Sequence, residues 1–175
     1  MKKLLAFILI VLCFASLCLL SACVGDAQDN TQTTAPKNTK EPATNVVLSN
    51  VLASINQEFS ITEDLVMSIE NTDDLELFYN IVPSDVKQFA AQTAVNTATD
   101  IDEIILVEAV DMDAAQRVYD ALLIRYNSQK DLCASYSAEL LAIIEKCSVE
   151  KNGNFVTLIM SSNAKEITEY YNSLV

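Results

Sequence analysis

The side chains able to do chemistry in this chain fall into a few groups, and the missing groups narrow the field further. There is no His among the 175 residues, so a Ser–His or Cys–His couple is impossible, as is the commonest ligation of zinc. Asp100, Asp102 and Glu103 form an acidic group that could meet a cation, but the Asp-x-Asp-x-Asp-Gly loop of a calcium hand is absent. Arg125 and Gln129 stand one helical turn apart, with Glu103 upstream as a carboxylate able to face them. Two roles are open for that set. In the first, Glu103, Asp102 or Glu108 is the structural partner that a covered guanidinium requires. In the second, Arg125 holds a carboxylate or similar group of a ligand. A pair of carboxylates could also hydrolyse a glycoside, but 24 acids bring some pair close by chance, and there is no Trp to stack a sugar. Gly occurs only at Gly25 and Gly153, which rules out a Gly-rich phosphate loop. No catalytic residue, no metal ligand set and no cofactor is assigned.

Charge narrows the partners. The formal net charge is −13, and a chain starting at Cys23 carries 9 basic and 24 acidic residues, or −15. Nucleic-acid binding needs clustered Lys and Arg, so DNA and RNA are not expected as partners. A surface this acidic is also not expected to lie flat on anionic lipid.

The first residues read as an address. Lys2 and Lys3 are the only charges before Cys23, and the run Leu4 to Leu20 is apolar throughout. This is the layout of a secretory signal. The run is at the short edge for a spanning helix, which needs about 20 residues. Cys13 and Cys18 lie inside it as small hydrophobes. Leu20-Ser21-Ala22-Cys23 resembles a bacterial lipobox. The resemblance implies that residues 1–22 are a lipoprotein signal peptide, that Cys23 is the lipidation site, and that cleavage leaves Cys23 as the new N-terminus. The membrane is then a partner through the lipid on Cys23, and the location is the extracellular face of the cell membrane. Two acyl chains suffice as a tether, at about 0.8 kcal/mol per buried CH₂.

Residues 24–45 lack aromatics and are rich in Thr, Asn, Gln, Pro and Lys, a composition that cannot offset its ordering entropy. Together, residues 23–45 are read as the lipidated Cys and a flexible linker, whose span by coil scaling is on the order of 25 Å. Residues 46–175 remain as one extracellular domain, long enough for a hydrophobic core.

The elements that must position Arg125, Gln129 and Glu103 follow from periodicity. Leu48, Leu52, Ile55 and Phe59 have helical spacing. A short helix is expected over Asp73 to Tyr79, capped by Thr72, with Asn80 in the left-handed position after it. Pro83-Ser84-Asp85 marks a turn or new start, and Val86 to Val95 fits a strand better than a helix. Glu103 to Val110 is the clearest strand, rich in branched apolar residues. Asp111 to Asp113 cap a long helix whose inner stripe is Val118, Leu122, Arg125, Gln129 and Leu132. Ser137 caps a short helix over Ala138 to Lys146. Ser148 to Lys151 and Phe155 to Ser161 are strands joined at Asn152-Gly153, a hairpin signal. Asn163 with Glu166 makes a capping box for a last helix with the stripe Ala164, Ile167, Tyr171 and Leu174. The fold class expected is α+β: an antiparallel sheet of three to four strands covered on one face by helices. Cys133 and Cys147 are expected as two buried free thiols, with a bridge between them as the other possibility in an exported domain.

The run Ala98-Thr99-Asp100-Ile101-Asp102-Glu103-Ile104-Ile105-Leu106-Val107-Glu108-Ala109 resembles the signature of a family of small bacterial lipoproteins, domain of unknown function 4358. So do Arg125 with Gln129, Tyr136, and Gly153-Asn154-Phe155 before an apolar strand. The resemblance spans roughly residues 47 to 174, with Phe155 where Tyr is expected and Asn80 where Gly is expected. It implies a Gram-positive host with a single membrane to anchor in, and it implies no activity.

The function expected from these readings is a non-enzymatic binding or adaptor module of the cell envelope, in contact with another envelope protein or a small ligand. The alternatives are a substrate-capturing lipoprotein serving a transporter, and a small carboxylate-dependent hydrolase. A domain of this size is small for a cleft between two lobes, and the missing His and Gly weigh against the enzyme.

Overall fold

The computed structural model describes residues 45–97 and 99–175. The expected signal peptide, Cys23 and all of the linker but Asn45 lie outside them. No helix among the described residues is long and apolar enough to cross a membrane.

The chain runs through α1 (Leu48–Glu58), β1 (Val66–Ile69), α2 (Thr72–Tyr79), a 3₁₀ turn (Pro83–Asp85), β2 (Val86–Ala94), β3 (Glu103–Ala109), α3 (Met112–Tyr136), α4 (Ala138–Ile144), β4 (Ser148–Asn152), β5 (Phe155–Met160) and α5 (Ala164–Leu174). The strands form one antiparallel sheet in the order β1-β2-β3-β5-β4. The architecture is α+β with an antiparallel sheet, and it has a fifth strand, β1. Only four residues long and bracketed by Glu63, Asp64 and Glu70, β1 carries too little apolar alternation to stand out in the sequence.

Helices cover both faces of the sheet. Strand side chains alternate between faces. On one face Glu103, Ile105, Val107 and Ala109 of β3 lie under α3, with Leu158 of β5 opposite Ile105. On the other, Ile104, Leu106 and Glu108 lie under α1 and α5, which also pack on each other. Every residue of β3 and of β5 is buried, as successive apolar positions require when both faces of a strand are covered. The run Ile104-Ile105-Leu106-Val107 thus announced a second helical layer beyond the single one expected.

Local chemistry sets most boundaries. Asp111 caps α3 by accepting from the Ala114 N–H, and Ser137 caps α4 by accepting from Leu140. Asn80 ends α2 in the left-handed region at φ 57°, and Gly153 turns the β4–β5 hairpin at φ 59°. Three expectations are corrected. The cap of α2 is Asn71, not Thr72: the Asn71 side chain accepts from Asp74 N–H, and Thr72 is already helical. Asn163 makes no side-chain cap on α5; its backbone is not extended, at φ −106° and ψ 23°, and its own N–H donates to the Ser161 hydroxyl instead. On α3 the stripe ends on Cys133, fully buried, while Leu132 is half exposed. Holding to steps of four beyond Gln129 would have selected the thiol.

Candidate functional site

Arg125 projects from the middle of α3 onto the first residue of β3. Its Nε donates to Glu103 Oε1 at 3.0 Å and its Nη2 to Glu103 Oε2 at 2.7 Å. The geometry is the two-pronged fork that a guanidinium and a carboxylate favour. Glu103 is buried, and the Arg125 side chain keeps 27% of its surface. The Tyr79 ring of α2 lies over the guanidinium, 5.6 Å from ring centre to Cζ. Burial works against the charge of Arg125, but the bonds and field of Glu103 more than offset it and hold its pKa above the ordinary value. Burial first, then the Glu103 carboxylate, pushes the Tyr79 phenol well above its usual range.

Gln129, one turn further along α3, is half-buried, and its side chain makes no hydrogen bond to the Arg125 or Glu103 side chain. The structure therefore brings Arg125 and Glu103 together, adds Tyr79, and leaves Gln129 aside. Glu103 engages the Nε–Nη2 edge of the Arg125 guanidinium.

The acidic group does not converge. Asp100 Oδ1 accepts from the Asp102 N–H at 3.0 Å, which shapes the turn into β3. Among the described residues no group of three or more His, Cys, Asp or Glu could hold a metal ion. Asp102 is half-buried; burial raises its carboxyl pKa, the hydrogen bond with Ser161 opposes that, and the Asp100 charge adds to it.

Three polar arrangements were missed in the sequence. Arg117, two turns before Arg125 on α3, makes a second fork to Asp85, with Nε to Oδ2 at 2.8 Å and Nη2 to Oδ1 at 2.7 Å. These bonds hold the Asp85 carboxyl below its usual range. On the α1 face, Gln88 spans the chain on either side of Val47, accepting from Leu48 N–H at 3.0 Å and donating to Val46 C=O at 2.8 Å. Gln88 also donates to Glu108, which takes Lys87 at 2.6 Å on its other oxygen. Third, Asn56 of α1 and Gln92 of β2 exchange two amide hydrogen bonds, each 2.8 Å. Gln88 and Gln92 share one strand face, and two glutamines among alanines on a buried strand were the available signal.

Cys133 and Cys147 are both free and buried. Burial pushes the Cys147 thiol up, so it is not primed as a nucleophile. The Tyr171 hydroxyl, buried under α5, has no hydrogen-bond partner among the described residues.

Two open grooves flank these arrangements. One of about 280 Å³ lies between the 3₁₀ turn and α3, lined by Ile81, Val82, Arg117, Ala121 and Ile124 among others. The other, of about 380 Å³, runs between α1 and the edge of β2.

A family model described as Domain of unknown function (DUF4358) matches residues 59–161. The match takes in the whole sheet with α2, α3 and α4, and leaves α1 and α5 outside. Neither the curated proteins nor the solved structures contain a match.

Proposed function

The chain belongs to the DUF4358 family, and on that premise we propose that it is a non-enzymatic binding or adaptor module of the cell envelope, held by lipid on Cys23 at the outer face of the membrane. The observation that supports a binding rather than a catalytic role is the closed character of its main polar cluster. At the α3 face Glu103 is committed to the two-pronged hold from Arg125, and the Tyr79 ring lies over the guanidinium. The grooves that remain open are lined by a mixture of apolar and polar side chains, the surface chemistry of recognition.

The tether rests on Leu20-Ser21-Ala22-Cys23 after an uncharged apolar run. With the lipid as anchor, the domain needs no membrane-binding surface of its own, in keeping with its acidity. Cell fractionation of the wild type and Cys23→Ser tests this. The wild type should sediment with membranes and carry a diacylglycerol mass, and the variant should lose both. A Cys23→Ser protein that is still acylated and anchored overturns the reading.

A further inference from the structure

We propose that the half-open edge of β2 is a docking site for an extended, basic segment of a partner protein, which binds by adding a strand to the sheet. The proposal deepens the binding-module reading and rests on it.

The edge is open because β1 is shorter than β2. β1 pairs only with Ala91–Ala94, so Val86 to Ala90 have a neighbour on the β3 side alone. In an antiparallel ladder the N–H and C=O of one residue point to the same side, and those of the next residue to the other. Val95 N–H donates to Leu65 C=O at 3.0 Å, which sets the odd-numbered residues of this stretch toward β1. Thr93 and Ala91 find Met67 and Ile69 there. Phe89 comes next, and its N–H and C=O face the strand position that β1 has vacated, without a partner among the described residues.

The groove of about 380 Å³, between α1 and the β1–β2 strands, borders that vacated position. Leu52 and Ala53 of α1 wall one side, Phe89 and Ala90 form the floor, and Ile69 with Glu70 closes one end. The uncovered stretch is long enough for a short strand, about 13 Å at 3.3 Å per residue. Main-chain bonds to Phe89 would supply attachment, and alternate side chains would fall against Leu52 and Ala53.

The opposite edge of the sheet shows what a guarded edge looks like. β4 carries exposed Glu150 and Lys151, charges of the kind that discourage strand addition. On the β2 edge the one charge in the open stretch is Lys87, and its ammonium is drawn to Glu108 at 2.6 Å. Glu70 is then the charged residue lining the groove.

Charge selects the occupant. Residues 46–175 hold 21 acidic and 7 basic residues, a net −14. Two copies of the domain repel each other, whereas a segment with Lys or Arg over Glu70 is attracted. The partner is accordingly an extended peptide segment without acidic residues and with a basic one at the Glu70 end.

The test uses the full chain, labelled with ¹⁵N and held in detergent micelles, titrated with the capped peptide Lys-Thr-Val-Thr-Val-Thr and with its counterpart starting in Glu. The Lys peptide should shift the amides of Phe89 and Glu70 and slow hydrogen exchange at Phe89. Ala53→Arg, at an exposed helical position, should fill the groove and weaken binding at least tenfold while leaving the unfolding midpoint in place. The Glu peptide should bind several-fold more weakly. Shifts that gather at Val82 and Ile124 instead would overturn this site and leave the binding-module reading standing. No binding of either peptide also overturns the site, while the tether is judged separately by fractionation. Sedimentation showing a dimer that Ala53→Arg abolishes overturns the chosen partner in favour of a second copy.

Discussion

Under α3 the buried polar atoms of the sheet region are ionic, and each of two carboxylates, Glu103 and Asp85, takes a two-pronged hold from an arginine of that helix. Under α1 they are largely amide: Gln92 exchanges bonds with Asn56, and Gln88 holds the backbone at Val46 and Leu48. The difference follows from reach. The long stems of Arg117 and Arg125 carry their charge past the apolar centre of the face to the strand ends. On the α1 face, short neutral amides meet directly above the strand. Neutral reciprocal pairs leave little behind when both members are removed, whereas a charge left alone in a covered place is costly.

The largest effect expected from breaking this contrast is on the ionic face. Arg125→Ala leaves Glu103 buried without its partner, and should lower stability by about 3 to 5 kcal/mol, toward the lower figure because Arg125 is partly exposed. Urea unfolding measures it. Adding Glu103→Gln should recover part of the loss. If the two changes add to within about 0.5 kcal/mol, the pair is not coupled and the ionic description of this face fails. Arg117→Ala is the internal control: its side chain keeps 58% of its surface, so water screens the Asp85 pair and the shift should be clearly smaller.

How far the sequence could carry these conclusions depended on how local the signal was. Glu103 to Ala109 is dense in branched apolar residues, and Asn152-Gly153 fixes a two-residue turn, so β3 and the β4–β5 hairpin were legible. Arg125 was legible because it interrupts the apolar stripe of α3. Arg117 sits off that stripe, and Asp85 looks like an ordinary turn residue after Pro83; only the tertiary fold brings them together. The amide network was hidden for a related reason. Asn56 and Gln92 are 36 residues apart, and neither neighbourhood signals that the other's helix or strand will cover it. β1 was hidden because it is stabilised as a strand by its pairing with β2 more than by its own four residues.

A smaller effect is expected on the amide face, and it should be asymmetric. Gln92 is 2% exposed, so Asn56→Ala strands a buried amide and should cost about 1 to 3 kcal/mol. Asn56 itself is half-buried and can turn to water, so the hydrogen-bonding part of the Gln92→Ala loss is smaller, and the remainder is packing. Replacing both by Leu should be closer to neutral than Asn56→Ala alone. Thermal unfolding of the three variants decides it. If the double Leu variant is the least stable of the set, the amides contribute more than mutual satisfaction, and the contrast between the faces narrows.

The smallest effect is a matter of pH and separates two carboxyls at the margins of the sheet. Burial raises the folded pKa of Asp102 above its unfolded value, the Ser161 bond resists, and the Asp100 charge adds to the rise. A raised carboxyl pKa means that the folded state holds the proton more tightly. Its stabilising contribution is therefore complete below the unfolded pKa of about 3.9 and is lost as pH rises through the folded pKa. Asp85 has the opposite sign: the Arg117 bonds lower its folded pKa, so its contribution is present above about 3.9 and is lost as pH falls through the folded value. In the wild type the two partly cancel on the acid side. Asp102→Asn cannot ionise and can keep a hydrogen bond to Ser161. It should therefore match the wild type near pH 3 and exceed it near pH 7. Unfolding midpoints of the two proteins between those limits should diverge upward with pH. Curves that stay parallel would mean that the Asp102 carboxyl ionises as freely folded as unfolded. A variant less stable at pH 7 than at pH 3, relative to the wild type, would mean that the Ser161 bond to the charged carboxylate outweighs its desolvation.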